Sequence, residues 1–160
     1  MITVAPVRED EYREAGEAYA ASWRFSHADV CDEAFLRAHT DERMERALRA
    51  DREAGAVILL ARVDGEAAGV AAIDVKGREL MRLYVAPRFL SKGVGQKLLE
   101  AIGGILDSKV EGHSPLWCSV LCVNARARRF YEKNGFACAG EIRVLDADKN
   151  LRELKYVQNE

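Results

Sequence analysis

The sequence predicts a mixed α/β fold, in which one helix crosses between two parallel strands and the other strands run antiparallel. Three observations carry that expectation. Residues 79–86 and 116–123 read as strands separated by an apolar helical pattern, the arrangement of a right-handed crossover. Asp64-Gly65 divides two apolar runs as the turn of a tight hairpin does. A length of 160 residues, 49% hydrophobic and 31% charged, suits one folded domain covering 1–160.

Taken in order, residues 2–7 alternate weakly and read as a first strand. Asp10 is a candidate cap for a helix whose buried stripe holds Tyr12, Ala15, Tyr19 and Trp23 and which ends near Phe25. Residues 32–54 read as a second helical region, with Phe35, Leu36, Met44, Ala47 and Leu48 set among charges. Strands follow at 56–62 and 66–75, and Lys76-Gly77-Arg78 turns the chain into a strand that Pro87 stops. Gly93 and Gly95 precede the crossover helix, which buries Val94, Leu98, Leu99, Ile102, Ile105 and Leu106. Residues 124–134 form a short helix closed by Gly135, and 136–145 and 151–158 pair as a last hairpin across 146–150.

Composition excludes several classes of function. Twenty-four Lys and Arg against 26 Asp and Glu give a net charge of -2, so no bulk positive field draws nucleic acid or anionic lipid. Apolar runs such as 56–61 fall well short of the roughly 20 residues of a membrane helix, and the N-terminal segment lacks the basic start of a signal peptide. A cytoplasmic protein is expected, with no nucleic-acid or membrane partner. Cys31, Cys118, Cys122 and Cys138 show no metal-ligand spacing, so no metal is expected and they read as buried thiols in a reducing compartment. His27, His39 and His113 stand singly among polar neighbours and read as surface residues.

Two segments carry chemistry. Leu90-Ser91-Lys92-Gly93-Val94-Gly95-Gln96 lies between a strand and a helix, where glycines admit an anion to backbone N–H groups and the helix start supplies partial positive charge. The bare alternative is an ordinary glycine-containing turn. The second segment runs from Asn124 to Phe136. Asn124 suits a helix cap, and Asn124, Ala127 and Tyr131 share a helix face that starts at the end of the strand after the glycine turn. In open sheets, ligands lie beyond the carboxyl ends of parallel strands, which places both segments at one edge.

Together these segments resemble the GNAT superfamily of acyl-CoA-dependent N-acetyltransferases. Residues 79–87, ELMRLYVAP, look like its fourth strand, Lys92-Gly93-Val94-Gly95 like its pyrophosphate loop, and 124–136 like its NxxAxxFYxxxGF segment. Leu90 and Ser91 depart from the family pattern, which has Arg or Gln and often Gly there. Since backbone amides make most phosphate contacts, weaker rather than lost binding is expected. The resemblance implies a mostly antiparallel sheet of about seven strands with about four helices and a splayed parallel strand pair. It also implies acetyl-CoA as acyl donor, held by Leu83, Tyr84, Val85, residues 90–96, Asn124, Ala127, Phe130 and Tyr131.

By the same resemblance, the Val85 N–H polarises the thioester carbonyl and Tyr131 protonates the departing thiolate while a primary amine of a small molecule or peptide attacks directly. Glu79 is the candidate base, on the expectation that residues 79, 81, 83 and 85 share one strand face. Its other reading is a solvated ion-pair partner of Lys76, Arg78 or Arg82. A non-catalytic acyl-CoA-binding regulatory or interaction module on the same scaffold is the alternative function. The segment Ala21-Ser22-Trp23-Arg24 with the following helical region is similar to family members that use it to shape the acceptor site, so the acceptor pocket is expected from the first two helical regions and the last hairpin loop, while the acceptor's identity and a homodimer stay open at the level of sequence.

Overall fold

A computed structural model of the protein describes residues 1–109, 115–147 and 151–159. The chain opens with β1 (Ile2–Pro6), a 3-10 turn (Glu9–Glu11) and α1 (Tyr12–His27). Asp10 does not cap α1 as expected. It lies inside the 3-10 turn, where the Arg8 N–H donates to Glu11 at 2.8 Å. The helical region expected over 32–54 is two helices, α2 (Glu33–Ala38) and α3 (Asp41–Glu53). Each has its own cap: Asp32 accepts from the Phe35 N–H and Thr40 from the Arg43 N–H, while His39 leaves the helical region between them.

The hairpin of β2 (Val57–Val63) and β3 (Glu66–Asp74) turns through Asp64 and Gly65, both at positive φ, as the Asp-Gly pair foretold. After β4 (Glu79–Val85) come α4 (Val94–Lys109), β5 (Trp117–Leu121), α5 (Ala125–Lys133), β6 (Phe136–Asp146) and β7 (Leu151–Gln158). Gly135, at φ 87°, supplies the left-handed residue that ends α5. The strands form one sheet in the order β1-β2-β3-β4-β5-β7-β6, parallel at β4–β5 and antiparallel elsewhere.

Helices cover both faces of the sheet. On one, Leu98, Ile102 and Leu106 of α4 and Tyr131 of α5 pack on Leu59, Ala71, Ile73, Leu80 and Cys118. On the other, Tyr12, Ala15 and Tyr19 of α1 with Met44 and Leu48 of α3 pack on Ile58, Leu60, Val70 and Ala72. The small residues of β3 let both layers approach closely, and Gly69 has no room for a Cβ against the Tyr84 carbonyl at 2.9 Å. No described helix is long and apolar enough to cross a membrane. Of the cysteines expected to be buried, Cys118 is; Cys31 and Cys122 are half-buried and Cys138 is exposed on the edge strand β6.

Candidate active site

The site starts from a break in strand pairing. Between β3 and β4 the register runs Ala72 opposite Arg82 and then Ile73 opposite Leu80, so Met81 is an extra residue that bulges the strand. Parallel pairing of β4 with β5 covers Glu79–Trp117 and Leu80–Cys118 and ends there. Beyond the bulge the two strands part.

The backbone groups that line the parting follow from the ladder. Ala86 N–H donates to the Ala68 carbonyl at 2.8 Å, so in strict alternation Tyr84 and Arg82 also face β3. Leu83 and Val85 therefore turn their N–H and C=O groups toward β5, which has already diverged. On β5, Cys122 N–H donates to the Arg152 carbonyl of β7, which by the same alternation leaves Ser119 and Leu121 facing the gap. An extended chain entering here meets two half-ladders ready to pair with it.

At the open end the chain passes from Val85 through a Pro87–Phe89 3-10 turn into the glycine loop. Ser91 and Gly93 have φ 61° and 87°, and α4 begins at Val94. The first N–H groups of a 16-residue helix have no partner within it, and this end is where the anion cradle was expected. Phe130 buttresses the loop: a Cβ on Gly95 would lie 3.0 Å from its ring, so only glycine lets α5 press against the start of α4.

A cavity of about 450 Å³ opens from the strand gap, with Leu83, Tyr84, Asn124, Ala127 and Tyr131 among its walls. Asn124 caps α5 through Oδ1, accepting from the Ala127 N–H at 3.1 Å. Tyr131 is buried, edge-on to Phe130 and Phe136 at centroid distances of 5.3 and 5.2 Å. Burial, the nearby Cys118 and Tyr84, and its hydrogen bond to Cys118 push the Tyr131 phenol well above its ordinary value. It holds its proton throughout the working range. Burial likewise raises the Cys118 thiol to about 12.

Glu79 sits elsewhere than its expected alternation placed it. The bulge at Met81 reverses the pleat, so Leu80 joins the α4 face with Leu83 and Val85 while Glu79, opposite Asp74, turns to the α1 face. It is not part of the cavity wall but borders its closed end. Burial first, then Asp74 and Glu153, raise its carboxyl above the usual range. Among the described residues none of the ion pairs involves Glu79, and Arg82, one of its expected partners, is bonded to Asp51 at 2.5 Å. Glu153 of β7 does line the cavity.

The far wall comes from the first two helical regions, where the acceptor side was expected, but its stack of rings was not foreseen from the sequence. Trp23 and His27 of α1, with Phe35 of α2, face the sheet across the cavity. Trp23 stacks on His39 at 3.6 Å and on His27 at 4.0 Å, and Phe35 meets His39 edge-on at 4.8 Å. The expectation of surface histidines thus fails for His39, which is buried, and for His27, a cavity residue; His113 lies outside the described residues. Each imidazole is pinned by a helical carbonyl, His27 Nδ1 on Trp23 O at 2.9 Å and His39 Nδ1 on Phe35 O at 2.8 Å.

Residues 14–136 match the family model described as the Acetyltransferase (GNAT) family. An uncharacterized N-acetyltransferase from Archaeoglobus fulgidus is 35% identical over 83 residues, covering 46% of this chain. The match spans 55% of that relative's length. Among solved structures, a GCN5-related N-acetyltransferase from Rhodopseudomonas palustris superposes with a TM-score of 0.77 at 21% identity, over 99% of this chain and 95% of its own. The PaiA N-acetyltransferase from Thermoplasma acidophilum, solved in complex with coenzyme A, gives 0.74 at 21% identity over 97% and 98%. At such identities these likenesses speak for the fold.

Proposed function

The chain belongs to the GNAT acetyltransferase family, and from that membership we propose that it transfers an acetyl group from acetyl-CoA to the primary amine of a small molecule or peptide, acting as one domain. The observation that carries this reading is the parting of β4 and β5 beyond Leu80–Cys118, with the Leu83 and Val85 amides facing the gap and the glycine loop at its open end. The cytoplasm, where acetyl-CoA is available, is the setting this reading implies.

Bound acetyl-CoA supplies an activated acyl group. Leu83 and Val85 pair through their backbone with the extended arm of the donor, and the amides of 91–96 with the Lys92 ammonium receive its pyrophosphate. Val85 N–H donates to the thioester carbonyl oxygen, where negative charge grows as the amine attacks. The new N–C bond forms as the C–S bond breaks. Tyr131 gives its proton to the leaving sulfur, and Glu79, at the other end of β4 from Val85, takes the ammonium proton through a chain of waters along the cleft. Its raised carboxyl makes Glu79 a stronger base than an ordinary exposed carboxylate.

The test is calorimetry and thermal unfolding with acetyl-CoA, followed by release of free CoA thiol on adding amines. Millimolar acetyl-CoA is expected to raise Tm, because a ligand of the folded state stabilises it by mass action. Gly93→Glu, which sets a negative charge in the anion cradle, is expected to abolish that shift. Absence of heat and of shift with the unsubstituted protein overturns the reading, and binding without thiol release to any amine leaves an acyl-CoA-binding module.

A further inference from the structure

The acceptor half of the cavity has a definite chemical character. Its helix side is a wall of rings: Trp23 stacked with His27 and His39, and Phe35 at the mouth with about half its surface exposed at 49%. Its sheet side carries the carboxylate of Glu153. Arg143, largely exposed and not part of the wall, donates to one oxygen of Glu153, Oε2, at 2.8 Å, which leaves Oε1 for a second cation.

The one guanidinium among the described wall residues is already committed. Arg82 donates to Asp51 at 2.5 and 3.3 Å and to the Tyr19 hydroxyl. Arg24, behind Trp23, is likewise spent on the His39 carbonyl at 2.7 Å and on Asp41. A substrate carboxylate entering this space would face the Glu153 carboxylate and, among the described wall residues, no Lys or Arg outside an existing ion pair.

From this arrangement, and resting on the N-acetyltransferase reading above, we propose that the acceptor is a primary arylalkylamine without a carboxylate. Its flat ring lies against Phe35 and the Trp23–His27 stack, and its ammonium lies beside Glu153. An offset or edge-on ring contact supplies attraction beyond simple burial. Glu153 stabilises the arriving ammonium and penalises any acid carried next to it, so the selection includes a repulsive element. Specificity would thus be divided between Phe35, which reads the ring, and Glu153, which reads the charge.

The experiment measures CoA thiol release by the full chain with 2-phenylethylamine, phenylalanine, spermidine and a lysine-containing peptide, with acetyl-CoA affinity measured in parallel. The expected order places kcat/KM for 2-phenylethylamine more than about tenfold above phenylalanine, as an unpaired like-charge contact requires, and above spermidine. Phe35→Ala is expected to raise KM for 2-phenylethylamine about three- to tenfold, the range one ring contact supplies, with kcat and acetyl-CoA affinity kept. Because Phe35 is half exposed, that variant keeps its fold. Glu153→Gln is expected to narrow the preference over phenylalanine. Equal or better use of phenylalanine, spermidine or the peptide, or an unchanged KM in Phe35→Ala, overturns the substrate class while the transferase reading stands. Binding of acetyl-CoA with no acceptor acetylated also overturns it. Loss of acetyl-CoA binding itself overturns both.

Discussion

The Tyr131 hydroxyl interacts with the Cys118 thiol, at the last residue of β5 that still pairs with β4. The phenol therefore sits beside a sulfur at the point where the strand gap begins, close to where a second sulfur would enter the gap. Tyr131→Phe keeps the ring contacts with Phe130 and Phe136. It is expected to lower kcat about 100-fold, the usual worth of a positioned proton donor, while leaving the acetyl-CoA Kd unchanged. Stability should fall by about 1 kcal/mol, because the thiol loses its partner. Wild-type turnover in this variant would show that solvent protonates the thiolate.

Ser91 explains in physical terms why glycine is favoured at its position. Its φ of 61° lies in the left-handed region, where a Cβ crowds the following carbonyl. Ser91→Gly is expected to stabilise the protein by about 1 kcal/mol, visible as a higher urea midpoint with an unchanged slope. Acetyl-CoA affinity should hold or improve, since the phosphate-facing amides keep their places. A lower midpoint would mean that the Ser91 side chain contributes something that its backbone strain does not reveal.

Much of the fold could be read from the chain because its signals are local. Asp64-Gly65, Gly135 and the apolar stripe of α4 each state their own conformation within a few residues. The glycine loop and the face shared by Asn124, Ala127 and Tyr131 were legible for the same reason. The break between α2 and α3 was also locally encoded, in the Asp32 and Thr40 caps, but the continuous run of charges and apolar residues hid it. The bulge at Met81 was not legible, since it exists only as a mismatch of register with β3, and it moved Glu79 to the other face. The acceptor wall was legible in outline, as a surface of the first two helical regions, but its stacking was not, because Trp23 and His39 meet across the turn between helices, a contact that spacing along the chain does not announce.

Asp51 and Arg82 tie α3 to β4 just past the bulge. The Asp51 side chain is 10% exposed, and Arg82 also bonds Tyr19, which stacks on Tyr84 at 4.5 Å. Removing one member leaves a buried charge without its counterion, so Asp51→Ala is expected to cost about 3 kcal/mol. The double variant Asp51→Ala/Arg82→Met should cost less than Asp51→Ala alone. Strict additivity in the denaturation series would show that the two side chains do not act as a pair.

His27 gives the protein an acid sensitivity of predictable sign. Burial, opposed by its hydrogen bond to the Trp23 carbonyl and aided by nearby His39, holds the folded imidazole below its ordinary value. In the unfolded chain it gains a proton near pH 6.5, so below that pH the unfolded state binds more protons and stability falls until the lower folded value is reached. Urea unfolding at pH 7.5 and pH 5.5 should show this loss in the wild type and a smaller one in His27→Gln. Equal losses in the two proteins would assign the acid sensitivity to other groups.

Glu79 offers a case in which activity and stability can be separated by sign. Its carboxyl is raised by burial and by Asp74 and Glu153, so its stabilising contribution is complete below the unfolded carboxyl value and is lost as pH rises through the folded one. At neutral pH, Glu79→Gln therefore removes an unfavourable, partly buried charge and should leave stability equal or slightly higher. If Glu79 takes the ammonium proton, the same variant has a lower kcat at pH 7 and recovers part of it by pH 9, where more amine arrives deprotonated. The acetyl-CoA Kd should not move, because Glu79 lies at the closed end of the gap, opposite the glycine loop. A variant profile parallel to wild type between pH 6 and pH 9 removes Glu79 as the proton acceptor. Glu153, the carboxylate on the cavity wall, then becomes the group to substitute next.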